Sequence, residues 1–165
     1  MKKNLLFPLS LVMLFATAML SCVPDDDEAE PEEQVDMTIS IGGVSTKMAS
    51  FGFSLGQSNG KKSLGIPFLA GTLVKASSVD VSIPDFSETK SKYDAAKGEV
   101  KVTYEGEITV SGESGGEWVS EKGTVEITSF NGEVIEGKIN ATLGSAKNKT
   151  KVLELKDGNF KVKKF

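Results

Sequence analysis

Between Met37 and Phe165 the chain is written in short runs that alternate apolar and polar residues, separated by glycine-containing turns, and no stretch keeps a helical period. A period of two places every second side chain on the same face of a strand, so each run can bury one face and wet the other. Met37-Thr38-Ile39-Ser40-Ile41 is such a run; Gly42-Gly43 is a hairpin-type turn and Val44 begins the return. Asn59-Gly60 marks a second hairpin, between Phe51-Gly52-Phe53-Ser54-Leu55 and Ser63-Leu64-Gly65-Ile66. Val79 to Ile83 alternates, and so do Val100 to Tyr104 and Ile108 to Val110, where Val100, Val102, Tyr104, Ile108 and Val110 share one face. Glu113 to Gly116 turns the chain. Strands are then expected over Gly123 to Phe130, Val134 to Leu143, and Lys151 to Leu155 leading into Asn159 to Lys163, with Asn131-Gly132 and Asp157-Gly158 as tight turns between them. Asp85 to Gly98 reads as a loop in which Asp94 to Lys97 could form one helical turn. Sequential short hairpins imply an all-β fold, an antiparallel sandwich or small barrel-like meander.

The first 36 residues are of a different kind. Lys2 and Lys3 precede a run of 16 uncharged residues, Leu5 to Leu20, which has the form of a signal-peptide hydrophobic region. The run is short for a membrane span of about 20 residues, and Pro8 interrupts it. It ends in Met19-Leu20-Ser21-Cys22, which resembles the lipobox of bacterial lipoproteins, with Met19 where leucine is commoner. The resemblance implies cleavage before Cys22, lipid on its thiol, and a mature chain anchored in the membrane. Two or three acyl chains hold a protein firmly, since each buried methylene contributes about 0.8 kcal/mol.

From Val23 to Asp36, 8 of 14 residues are acidic and none is basic, the composition of a self-repelling, disordered spacer. Its start, Asp25-Asp26-Asp27-Glu28, resembles the surface-export signal of Bacteroidota-type lipoproteins, which implies an outer-membrane protein facing the cell exterior and partners in the lipoprotein-processing and export machinery. The alternative is a plain spacer on a protein facing the periplasm. The expected organisation is thus residues 1–21 as signal peptide, 22–36 as lipidated cysteine and acidic tether, and 37–165 as one β-rich domain.

Composition removes several chemistries. Histidine and arginine are both absent, so the 19 basic residues are all lysine. There can be no His-based triad or imidazole ligand, and no bidentate guanidinium for phosphate or guanine. A net charge of −4 argues further against nucleic acid as a partner. Cys22 is the only cysteine, so the fold rests on no internal disulfide. No cofactor and no metal is expected. Gly56 to Ser63 has three residues between its glycines, not the four of a phosphate-binding loop, and lies in a hairpin context.

Two positive expectations about ligands remain. Trp118 and Tyr93 could present aromatic faces to a glycan or a protein, against the alternative that they fill the core. Phe51, Phe53, Phe68 and Phe86 could line a lipocalin-like cavity for a small apolar ligand. A hydrolase would need two facing carboxylates, for which Glu105, Glu107, Glu117, Glu121, Glu126, Glu133 and Glu136 are candidates, although alternation places several on the wet face. Charge is segregated, with nine glutamates against Lys101 and Lys122 in Glu99 to Glu136 and eight lysines against Glu154 and Asp157 in Lys138 to Phe165. The two segments are expected to pair Glu with Lys across strands. The rival is a basic surface of Lys147, Lys149, Lys151, Lys161, Lys163 and Lys164 that meets an acidic glycan or headgroup.

The C-terminal half, Gly123-Thr124-Val125-Glu126-Ile127-Thr128-Ser129-Phe130, then Ile135 to Leu143, then Leu155-Lys156-Asp157-Gly158-Asn159-Phe160, resembles uncharacterised Bacteroidota lipoproteins of the DUF6252 type. Ile39 to Val44 resembles their opening hairpin, without its aromatic residue. The resemblance implies an all-β fold and an exported lipoprotein, and it supplies no catalytic residue. The expected function is a non-catalytic binding or structural module on a membrane anchor.

Overall fold

The computed structural model describes residues 35–72, 75–106, 116–148 and 150–165. The alternating runs form strands β1 (Met37–Ile41), β2 (Val44–Met48), β3 (Ser54–Ser58), β4 (Lys61–Thr72), β5 (Lys75–Ile83), β6 (Lys92–Asp94), β7 (Lys101–Glu105), β8 (Glu117–Phe130), β9 (Val134–Ser145) and β10 (Val152–Lys163). No helix occurs among the described residues. The strands make one antiparallel sheet in the order β2-β1-β10-β9-β8-β7-β5-β4-β3, and β6 pairs with β8 at Thr124 to Glu126, beyond the part that β7 occupies. The fold is therefore all-β, a curled sheet forming a half-barrel around its own core.

Curling follows from the backbone. Register shifts lie between Thr38 and Ser40, between Leu155 and Gly158, and twice in β8, at Ser120/Lys122 and Ile127/Ser129. Each extra residue bends its strand and raises the local twist. The connector from β2 to β3 then ties the sheet's margins. Ala49 and Leu69 exchange N–H···O bonds of 2.8 and 2.7 Å. The buried Ser50 donates its hydroxyl to the Pro67 carbonyl at 2.6 Å and accepts the Gly52 N–H at 3.1 Å. Phe53 donates to the Lys163 carbonyl and accepts from the Phe165 N–H, which fastens the other end of the connector to β10.

The buried positions are those of the alternation: Met37, Ile39 and Ile41 on β1, Val79, Val81 and Ile83 on β5, Val102 and Tyr104 on β7, Leu153, Leu155, Phe160 and Val162 on β10. Aromatic rings fill the middle, with Phe53 and Phe86 edge-on to Phe130 at 6.0 and 5.4 Å, and Phe68 tilted against Phe160 at 5.7 Å. Among the described residues the core begins at Met37, and Gln34–Phe165 forms a compact unit by itself.

Three expectations are corrected. Asp157-Gly158 does not reverse the chain: Leu155 pairs with Ala141 and Gly158 with Ile139, so Lys156 and Asp157 together face Asn140 as a bulge inside one long strand. Asp157 adopts φ 54°, the left-handed conformation that a turn and a bulge both use. Phe51 and Gly52 lie outside β3, which starts at Ser54. The stretch from Asp85 to Gly98 contains the short strand β6, and its second half closes with Gly98 N–H on the Ala95 carbonyl rather than as a helix. Ile108 to Val110 lie outside the described residues.

Candidate functional site

Cys22, Asp25, Asp26, Asp27 and Glu28, together with the signal-peptide and tether segments, lie outside the described residues. The chain enters the half-barrel at Val35 and Asp36. Asp36 is held there from three sides: its N–H donates to the Met48 carbonyl, its carbonyl accepts the Lys161 N–H, and its carboxylate accepts the Ser50 N–H at 2.7 Å.

The two aromatic candidates do not form a surface platform. Trp118 and Tyr93 are each only 1% exposed, because both fall on the inward phase of their strands. Tyr93 is instead the support of the loop that precedes it. Its hydroxyl donates to the Ser87 carbonyl at 2.9 Å and accepts the Ser87 N–H at 3.0 Å, its ring stacks on Phe86, and Lys90 lies 5.1 Å above the ring centroid. The four phenylalanines proposed as a cavity lining also separate. Phe53, Phe68 and Phe86 pack into the ring cluster described above, whereas Phe51 is 70% exposed.

The candidate carboxylates spread over the outer surface instead of converging. Glu136 pairs with Lys161 at 2.8 Å, Glu117 with Lys101 at 4.0 Å, and Glu126 stands opposite Lys138 in the β8–β9 register. The pairing of glutamate-rich with lysine-rich strands follows the charge segregation of the sequence, at a few tenths to about 1 kcal/mol per pair. Glu105, Glu121 and Glu133 are exposed, and Glu107 lies outside the described residues.

Two surface concavities lined by charged residues were not foreseen. The first, about 390 Å³, lies on the outer face of β8, β9 and β10 and is lined by Lys122, Asn140, Thr142, Glu154, Lys156 and Asp157 among others. It exists because the bulges of β8 and β10 flank the same stretch of β9. The Asn140 side-chain carbonyl accepts the Asp157 N–H at 3.0 Å, and Asn159 donates its amide to the Asp157 carbonyl, which fixes the bulge. Gly123 adopts φ 121°, and a Cβ there would strike the Asn140 carbonyl and the Ala141 backbone, so β8 and β9 meet this closely only with glycine. Glu154 and Lys156 make a 2.6 Å ion pair. The Lys156 hydrogen bond and charge, with Lys122 adding, hold the Glu154 carboxyl below the ordinary range, and Glu154 in turn raises the Lys156 ammonium. The groove thus offers ammonium, carboxylate, amide and hydroxyl groups in both charge states to a ligand.

The second concavity, about 530 Å³, is lined by Lys61, Pro84, Asp85, Ser87, Lys90, Gly98 and Glu99. Lys61 pairs with Asp85 at 2.7 Å and Lys90 with Glu99 at 2.8 Å. Its charges are therefore matched internally. The Lys90 hydrogen bond, then the Asp94 N–H, hold the Glu99 carboxyl below the usual range.

Comparison with protein-family models, curated proteins and solved structures gives no match for this chain. The functional reading therefore rests on the chain's own residues.

Proposed function

We propose that this protein is a membrane-anchored, exported lipoprotein whose half-barrel is a non-catalytic binding or structural module at the cell surface. The observation that carries the reading is the position of Cys22, the chain's single cysteine, one residue after the uncharged run Leu5 to Leu20. The acidic residues from Asp25 onward support export to the outer face of the outer membrane, with the periplasmic face as the alternative. The outer groove on β8, β9 and β10 supports a polar partner, a glycan or a protein, since its groups donate and accept hydrogen bonds in both charge states. The carrier reading draws no support from the phenylalanines, three of which are committed to core packing, and the hydrolase reading none from the dispersed glutamates.

The test is made in cells. Cys22→Ala should leave the half-barrel folded and move the protein from the membrane fraction to the soluble one. If that variant stays with membranes, the anchor is not Cys22. Protease treatment of intact cells should digest the wild-type domain; survival until lysis would place it on the periplasmic face.

A further inference from the structure

One end of the half-barrel brings exposed apolar and basic side chains together. Phe51 is 70% and Phe165 89% exposed, the two most exposed large apolar side chains among the described residues. They belong to neighbouring backbone: Gly52 follows Phe51, and a Cβ on Gly52 would lie 2.9 Å from the Phe165 nitrogen. Lys163 and Lys164 adjoin Phe165 on the same strand end, both exposed, with Glu133, whose carbonyl accepts the Lys164 N–H, as their acidic neighbour. Asp36, where the N-terminal segment joins the half-barrel, is hydrogen-bonded to Ser50 and Lys161 at this same end.

We infer that this end, with Phe51 and Phe165 as its apolar tips and Lys163 and Lys164 beside them, rests in the headgroup–acyl boundary of the bilayer that holds the anchor. The inference deepens the proposed function and rests on Cys22 being the anchor point. Distance favours it. Val35 lies 13 residue steps from Cys22, which no conformation stretches beyond about 45 Å. Val152, at the far end of β10, lies 11 residues from Lys163, about 37 Å along the strand. Turning that far end to the bilayer would require nearly the whole reach of the linking segment to run back along the domain, whereas the Phe51–Phe165 end is where the segment attaches. Chemistry favours it too. Phenylalanine rings on a surface-lying element bury into the headgroup–acyl boundary as apolar groups, and lysine stems cover apolar surface while their ammonium groups meet lipid phosphates.

The lone cysteine makes the orientation testable without any cellular enzyme. The chain from Cys22 onward is coupled through that thiol to a maleimide lipid in vesicles of phosphatidylglycerol and acyl-brominated phosphatidylcholine. Tryptophan is placed at Phe51→Trp, Phe165→Trp or Val152→Trp, the last being 48% exposed at the opposite end, with the buried Trp118 common to all. The two phenylalanine-site reporters should shift to the blue and be quenched by bromine, and the Val152 reporter should not. Equal quenching at all three sites, or quenching at Val152 alone, overturns the inference. A blue shift without vesicles that grows with protein concentration would assign the rings to a second copy of the chain and overturn it as well. With the thiol blocked, each of Phe51→Ser and Phe165→Ser should weaken vesicle association by roughly an order of magnitude; unchanged association contradicts the apolar contact. Chemical coupling separates this result from the anchor itself, which fails only if Cys22 proves unmodified in cells.

Discussion

Removing the Ser50 hydroxyl should loosen the tie between the half-barrel's margins more than any other single-oxygen deletion in the connector. The hydroxyl donates to Pro67 at 2.6 Å and accepts from Gly52 at 3.1 Å, in a position only 9% exposed. Pro67 is in phase with Leu69, whose N–H and carbonyl also face the connector, so its carbonyl points away from β5 and toward Ser50. Ser50→Ala therefore loses two hydrogen bonds at about 1 kcal/mol each, and strands a carbonyl and an N–H, each of which costs about 1–3 kcal/mol where water does not replace the partner. Partial hydration at this margin brings the expected loss to about 2–4 kcal/mol. Urea unfolding followed by the fluorescence of Trp118 measures it. With a urea slope of about 2 kcal/mol per molar, the midpoint should fall by about 1–2 M with the slope unchanged. Ser45→Ala, on the exposed face of β2, should stay within about 0.5 kcal/mol of wild type. A Ser50→Ala loss no larger than that of Ser45→Ala would refute the claim that this hydroxyl joins the margins.

Other expectations follow from the same geometry. Trp118→Ala should cost about 3–5 kcal/mol, and wild-type Trp118 emission should be blue-shifted and insensitive to iodide; an iodide-quenched, red-shifted signal would return the ring to the surface. Gly123→Ala should destabilise by at least about 1–3 kcal/mol, since φ 121° strains any side chain and the Cβ meets β9 backbone; a neutral result in thermal unfolding would mean that the β8 bulge is not as described. Burial beside the neighbouring strands raises the Asp80 carboxyl above 3.8, with a Ser78 hydrogen bond opposing and the Glu105 charge adding. A raised carboxyl favours the folded state when protonated, so its contribution is full below 3.8 and is lost as pH rises through the folded pKa. Asp80→Asn should therefore stabilise at neutral pH, with the gain shrinking on acidification toward 3.8; a gain that grows toward acid would reverse the sign of this account.

The strands were legible because the core is one-sided: where a face is buried, a period of two is imposed on the sequence, and β1, β5, β7 and β10 obey it. Gly42-Gly43 and Asn59-Gly60 were legible as turns for the same local reason, with positive φ at all four residues. Asp157-Gly158 shows the limit of that reasoning. A dipeptide that tolerates the left-handed conformation specifies a kink, and only the pairing partner, here Asn140, decides between reversal and bulge. The groove it helps form was therefore invisible in the sequence, because it depends on two bulges more than 30 residues apart meeting one stretch of β9. Tyr93 and Trp118 were ambiguous because an aromatic residue in a polar neighbourhood fits both a surface platform and an inward strand position. Phe51, Phe53 and Leu55 alternate as one face of a strand would, but β3 starts only at Ser54, so the period placed exposed Phe51 and buried Phe53 alike.

The central claim is that Cys22 anchors this half-barrel in a membrane. Intact-mass analysis of the protein purified from the membrane fraction of its own cells tests it most directly. The account predicts a chain that begins at Cys22 and carries the added mass of a diacylglyceryl group. A chain that begins elsewhere, or that begins at Cys22 with a free thiol, would contradict it.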